Sequence, residues 1–254
     1  MNELNIFSKY LPNFLFILLR AGIVMSLLPF FGSKSFPVQF RIGFIVAIAL
    51  VLTPVIEFRV SRTEIPVMVM KEIVFAMMLG LSARAVFYAV DMSGEIISNA
   101  MGLSMATIFN PAMGEQSTEI TRMYGFIAII IFLSVNAHHD FIYIFVRSYE
   151  WLPAGHMEIQ NFLPEVISIF RRMTLIAVKI GAPVMIAMLM TNILLGFISK
   201  AVPQMNVFFV GHPLYLFVGF VVLLTSLPVF AYMMGGYFSE IKDEMARVIA
   251  IAKG

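Results

Sequence analysis

The sequence predicts an all-α, membrane-associated fold, and three observations carry that prediction. Of its 254 residues, 60% are hydrophobic and 13% charged, with a mean hydropathy of +0.92; soluble domains carry about 25% charged residues. The apolar residues gather into about six runs of helical length. Between the runs lie breaks that contain Gly and Pro, the residues that interrupt regular helix. The same composition excludes several function classes. With no cysteine there is no disulfide, thiolate metal site or cysteine nucleophile. The net charge of +2 is scattered, with no basic run to grip nucleic acid. Among 20 methionines, those clustered at the breaks (Met101, Met105, Met113, Met233, Met234) suit surfaces that re-pack against changing partners.

Residues 1–10 form a short polar lead, and the apolar run 11–31 would make about 31 Å of helix, enough to span a bilayer. Pro12 and Arg20 interrupt it, so it reads as a retained segment and not a signal peptide. Arg20 facing lipid would cost roughly 2.5–3.5 kcal/mol, so it should face protein, water or a carboxylate. After a turn containing Pro37, Arg41 opens a second apolar segment that ends before Glu57. It offers only about 22 Å of helix, short for a crossing and suited to a hairpin arm packed in protein. Pro66 fits the first turn of a third helix reaching about Val90, whose Lys71, Glu72 and Arg84 suit a helix contact better than a lipid face.

Residues 91–106 (DMSGEIISNAMGLSMA) are rich in small side chains that allow close backbone approach. They lead into 102–122 (GLSMATIFNPAMGEQSTEITR), which is too apolar for a solvated turn and too interrupted by Gly and Pro for a regular helix. Such backbone among membrane segments must be buried in protein or line a water-filled path, which makes it a candidate gate. The apolar run 123–146 follows, interrupted by Asn136, His138, His139 and Asp140, which should point inward. Residues 147–161 form a polar connection whose Tyr149 and Trp151 suit either a membrane interface or ordinary packing. Pro164 opens a helix that ends near Lys200; a second broken connection spans 203–213; an apolar arm runs from 214 to about 238; and the tail from Ser239 is amphipathic.

The His138-His139-Asp140 triplet is the nearest approach to catalytic chemistry. Adjacent residues on a helix diverge by about 100°, so the two histidines cannot share one metal, and no HExxH spacing exists. A proton relay is chemically feasible there, and packing at a polar helix interface is the simpler reading. No G-x-S-x-G, Walker or dinucleotide motif is present, so no enzyme and no cofactor is expected.

Three stretches together resemble the FliR/SctT family of the type III export apparatus: ATIFNPAMG (106–114), FLSVNAHHDFI (132–142) and PQMNVFFVGHPL (203–214). The last is the most specific and is similar to the flagellar branch. Leu214-Tyr215-Leu216 departs from the family, which often has a lysine after Pro-Leu, so no role of that lysine carries over. The resemblance implies helical hairpins in two parts, a FliP-like part over 1–163 and a FliQ-like hairpin with a tail over 164–254. It implies a core subunit that assembles with FliP and FliQ, beside FlhB and FlhA, into a pore for unfolded flagellar proteins. The location implied is the bacterial inner membrane, within the flagellar basal body. A loop over about 104–116 would help to plug the closed pore, with Met105, Ile108, Phe109, Asn110, Pro111, Ala112, Met113 and Gly114 forming the plug. On their own chemistry, Arg20, Asn136, His138, His139 and Asp140 are candidates for buried polar packing. Physically, a seal that blocks ions yet passes any unfolded chain should be apolar and deformable, which Met105, Phe109 and Met113 supply on an interrupted backbone. A proton-coupled secondary transporter, or a structural scaffold of a membrane complex, are the alternatives.

Overall fold

A chain this apolar satisfies its buried backbone N–H and C=O groups by folding them into helices. The computed structural model describes residues 2–28, 37–56, 65–103, 118–155, 157–158, 162–204 and 206–253. Among them are eight helices and no strand. They are α1 (Asn2–Leu27), α2 (Val38–Leu52), α3 (Ile65–Ala100), α4 (Glu119–Ser134), α5 (Ala137–Trp151), α6 (Phe162–Ala201), α7 (Val207–Ser239) and α8 (Ile241–Lys253). Among the described residues, four helical stretches are long and apolar enough to cross a membrane: Tyr10–Leu27, Ile65–Ala100, Phe162–Ala201 and Phe209–Lys253. With 36 and 40 residues, α3 and α6 would extend about 54 and 60 Å, well beyond a hydrocarbon core of about 30 Å.

Several expected boundaries are corrected. The polar lead is helical from Asn2, so α1 starts well before its apolar run. Small residues do not end α3 at Val90; it continues to Ala100, with Ser93 donating back to the Val90 carbonyl at 2.7 Å. The run 123–146 is two helices, parted where Asn136 adopts the left-handed conformation at φ 58°. The polar connection after Arg147 is partly helical: Tyr149 is buried in α5 and donates to the Ile17 carbonyl at 3.1 Å, which places it in packing. Pro213 lies inside α7 and does not prolong the break before it.

The helices gather into two packed units. The first comprises Met1–Ala85, Asn136–Phe170 and Ser239–Gly254. Within it α1 packs on α2 and α8 packs on α5. The amphipathic α8 buries Ile241, Met245, Val248, Ile249 and Ala252, the stripe expected of a helix lying on a core. The second unit comprises Val86–Val135 and Arg171–Phe238. Its centre is aromatic: the rings of Phe87, Phe132 and Phe238 lie 5.0–5.4 Å apart, within the range where edge contacts add to burial. Tyr124 meets Phe230 edge to face at 4.5 Å.

Candidate functional site

The expected plug residues Met105, Ile108, Phe109, Asn110, Pro111, Ala112, Met113 and Gly114 lie outside the described residues. The two ends of that segment are described, and both belong to the second unit. At the first end α3 closes with a glycine in the left-handed region, Gly102 at φ 78°. The Gly102 N–H donates to the Asn99 carbonyl at 3.1 Å and the Leu103 N–H to the Ser98 carbonyl at 3.0 Å. This paired pattern is the Schellman motif, which satisfies the last carbonyls and turns the chain off the helix axis.

At the second end Thr118 caps α4 from extended backbone, and its hydroxyl oxygen accepts from the Thr121 N–H at 3.4 Å. That cap also bonds back to α3. The Ser98 and Thr118 hydroxyls are 2.6 Å apart, and those of Thr118 and Thr121 2.9 Å apart. Thr121 Oγ1 donates to Glu95 Oε1 at 3.0 Å, and the Thr118 N–H donates to the same oxygen at 3.3 Å. A carboxylate only accepts, so the hydroxyls order in one direction: Ser98 donates to Thr118, Thr118 to Thr121 and Thr121 to Glu95. Ser98 thus holds the departing chain through its carbonyl and the returning chain through its hydroxyl.

Glycines bring the backbones close enough for this clasp. A Cβ on Gly94 would lie 2.5 Å from Thr121 Cα, so α3 and α4 meet only because that atom is missing. The end of α3 is gripped from other helices too. A Cβ on Gly219 of α7 would lie 2.5 Å from Met101 Cε, one on Gly181 of α6 would lie 3.3 Å from Ile96, and the His212 ring sits beside Gly102. His212 belongs to the PQMNVFFVGHPL stretch, so one of the three stretches that carry the resemblance reaches the end of α3.

The polar residues singled out in the sequence are not gathered at this stem. In the first unit Arg20 is fully buried and its guanidinium is bound by the Glu72 carboxylate, with Nη2 to Oε2 at 3.0 Å. Arg20 also donates to Ser148 Oγ at 3.1 Å and to the Leu152 carbonyl at 3.0 Å, and lies over the rings of Phe75 and Tyr149. Asn136 and His139 are exposed and His138 and Asp140 half-buried; the two histidine rings are 4.1 Å apart. None of these four residues touches Arg20 through a polar contact.

Sequence reasoning missed Glu95, Ser98, Thr118 and Thr121. A readable signal was Thr118 before an acidic first-turn residue, Glu119, at the head of an apolar run, the pattern of a helix N-cap. Nothing local marks Glu95 as its partner 23 residues earlier.

Residues 11–241 match the family described as bacterial export proteins, family 1. The chain is 30% identical over 249 residues to the flagellar biosynthetic protein FliR of Bacillus subtilis (strain 168), covering 94% of this chain and 95% of that protein. It is 30% identical over 244 residues to the same-named protein of Aquifex aeolicus (strain VF5), covering 92% of each. Similarity extends to the secretion system apparatus protein SsaT of Salmonella typhimurium, 28% identical over 171 residues, covering 66% of this chain and 65% of that protein.

Proposed function

We propose a role that starts from one premise: this chain belongs to the bacterial export proteins, family 1, and is a non-enzymatic inner-membrane component of a type III export apparatus. The proposed role is that of a core subunit of the flagellar export gate in the basal body. With FliP and FliQ, and next to FlhB and FlhA, it forms a pore for unfolded flagellar proteins, and its own residues 104–116 help to plug that pore when closed.

The observation that carries this reading is the stem. Leu103 and Thr118, the described residues on either side of 104–117, are both bonded to Ser98, so the two flanks of the segment share one base. A seal needs such a base, because an apolar insert held at one position can block a pore that a free chain would only occupy intermittently. Its methionines and phenylalanine suit contact with a changing partner. The uncovered apolar faces support assembly: within the chain only 33% of the α6 apolar stretch and 17% of the α7 stretch are buried. FliP and FliQ subunits are the proposed cover. In this reading residues 1–163 are the FliP-like part and 164–254 the FliQ-like part. Its hairpin is α6 and α7, tied by Tyr215 donating to Asn192 Oδ1 at 2.5 Å.

Deletion of residues 106–114 tests the proposal. With the assembled complex still recovered, the expected result is ion leakage through the resting gate together with impaired export. Unchanged ion tightness would overturn the plug, and unchanged leak and export with normal assembly would leave a scaffold role.

A further inference from the structure

We propose that Lys179 is a recognition residue for assembly: the uncovered face of α6 takes a helix of a partner subunit that carries an Asp or Glu opposite it. The inference rests on the assembly reading above and adds to it the chemistry of the partner at one position.

Lys179 lies near the middle of α6, in an apolar stretch of which only 33% is buried within the chain. It is the only charge on residues 173–199, and 180–199 by themselves supply about 30 Å of helix, the thickness of a hydrocarbon core. Its side chain is exposed, and no hydrogen bond or ion pair holds it among the described residues. At 100° per residue, Leu175, Ile186, Met190, Ile193 and Phe197 fall with Lys179 inside an arc of about 60°, and all five are 47–68% exposed. One cation therefore stands in an otherwise apolar stripe about 33 Å long.

Lipid does not account for this stripe. Where the hydrocarbon core covers Lys179, the ammonium is expensive unless a group of opposite charge meets it. Where the core ends at Lys179 and covers 180–199, the exposed Leu163, Ile167, Phe170, Leu175 and Val178 of the same helix are left in water, and protein must cover them. Both placements call for a protein surface along Lys179. A surface that buries the ammonium must also neutralise it. A carbonyl would satisfy its donors and leave the charge, whereas a carboxylate does both. A helix suits the rest of the partner, because the stripe is straight and a helix satisfies its own backbone in apolar surroundings.

The test is recovery of the complex when the full chain is co-expressed with FliP and FliQ and isolated through a tag on the chain, per amount of chain in the membrane. Lys179→Glu should lower recovery on the order of tenfold or more, since it sets two carboxylates against each other. Lys179→Met leaves the partner's carboxylate unpaired and should lower it several-fold, while Lys179→Arg should retain it. Changing the Asp and Glu residues of the FliP and FliQ helices one at a time to Lys in the Lys179→Glu background should restore recovery at one position. If the Lys179→Glu chain is itself lost from the membrane, Lys179→Met is read instead against single Asp→Asn and Glu→Gln partner variants, of which one should restore recovery. Wild-type recovery with Lys179→Met, or a loss that no partner variant restores, overturns the inference in favour of a lysine that meets lipid phosphate and leaves the assembly reading standing. A wild-type chain that brings down neither FliP nor FliQ overturns the assembly reading, and the inference with it.

Discussion

Arg20 of α1 and Glu72 of α3 form a two-point ion pair with 0% and 3% of their side chains exposed. Fifty-two residues apart in sequence, they join two helices of the first unit. Two further guanidinium donors reach Ser148 and the Leu152 carbonyl of the α5 end, so three helices converge on one side chain. Breaking such a pair from one side strands a buried charge, at a cost of about 3–5 kcal/mol. Arg20→Met and Glu72→Met should each lower the midpoint of thermal unfolding in detergent, whereas the double variant should recover most of the loss. Arg20→Lys should behave as a loss, since an ammonium cannot reproduce the planar fork. A double variant worse than either single would show that the pair is not what couples these positions.

Two glycines are expected to respond oppositely to the same added methyl group. At Gly94 the Cβ would lie 2.5 Å from Thr121 Cα, a backbone atom that cannot swing aside, so α3 and α4 must separate. Overpacking of this kind costs about 1–3 kcal/mol. At Gly22, in α1, a Cβ meets nothing within 4 Å. There the helix propensity of Ala should be neutral or stabilise by up to about 1 kcal/mol. Thermal unfolding of Gly94→Ala and Gly22→Ala side by side measures the contrast.

Gly102 is constrained by conformation and not by space. Its φ of 78° lies where an L side chain is strained, while the nearest atom to a Cβ, His212 Nδ1, is 3.6 Å away. Gly102→Ala should therefore cost about 1–2 kcal/mol, and Gly102→Asn less, because Asn tolerates the left-handed region. Equal losses for the two variants would point to crowding by His212 instead of backbone strain.

The fold was legible where the signal is local. Apolar runs located the helices, and the short second segment was seen as such, with 15 residues in α2. The ends were less readable: residues 2–10 carry no apolar run yet extend α1, and Pro213 stands at the seventh position of α7, past the first turn where a missing N–H is tolerated, so it reads as a break although the helix runs through it. At the stem, Gly102 and the Thr118 cap could be read from neighbouring residues. Their connection through Ser98 and Glu95 could not, since the partners lie 20 and 23 residues away. Arg20 was legible as a charge in need of a carboxylate, but only tertiary packing selects Glu72.

Gly219 offers a case where strain can be relieved by a second change. The three atoms nearest to a Cβ there all belong to the side chain of Met101, with Cε at 2.5 Å, Cγ at 2.7 Å and Sδ at 2.8 Å. Met101 is fully buried, so its side chain has little room to move. Gly219→Ala alone should cost about 1–3 kcal/mol through overpacking. Met101→Ala alone should cost about 2–5 kcal/mol by opening a cavity. Together they should cost less than the sum, because the new methyl enters the space the methionine leaves, giving a favourable coupling of about 0.5–3 kcal/mol in a double-mutant cycle. The same cycle between Gly94→Ala and Thr121→Ala should recover less. Truncating Thr121 removes Oγ1, at 2.7 Å, but leaves Cα at 2.5 Å. If both cycles show equal coupling, the α3–α4 contact is as yielding as the α3–α7 contact, and Gly94 is not needed for their approach.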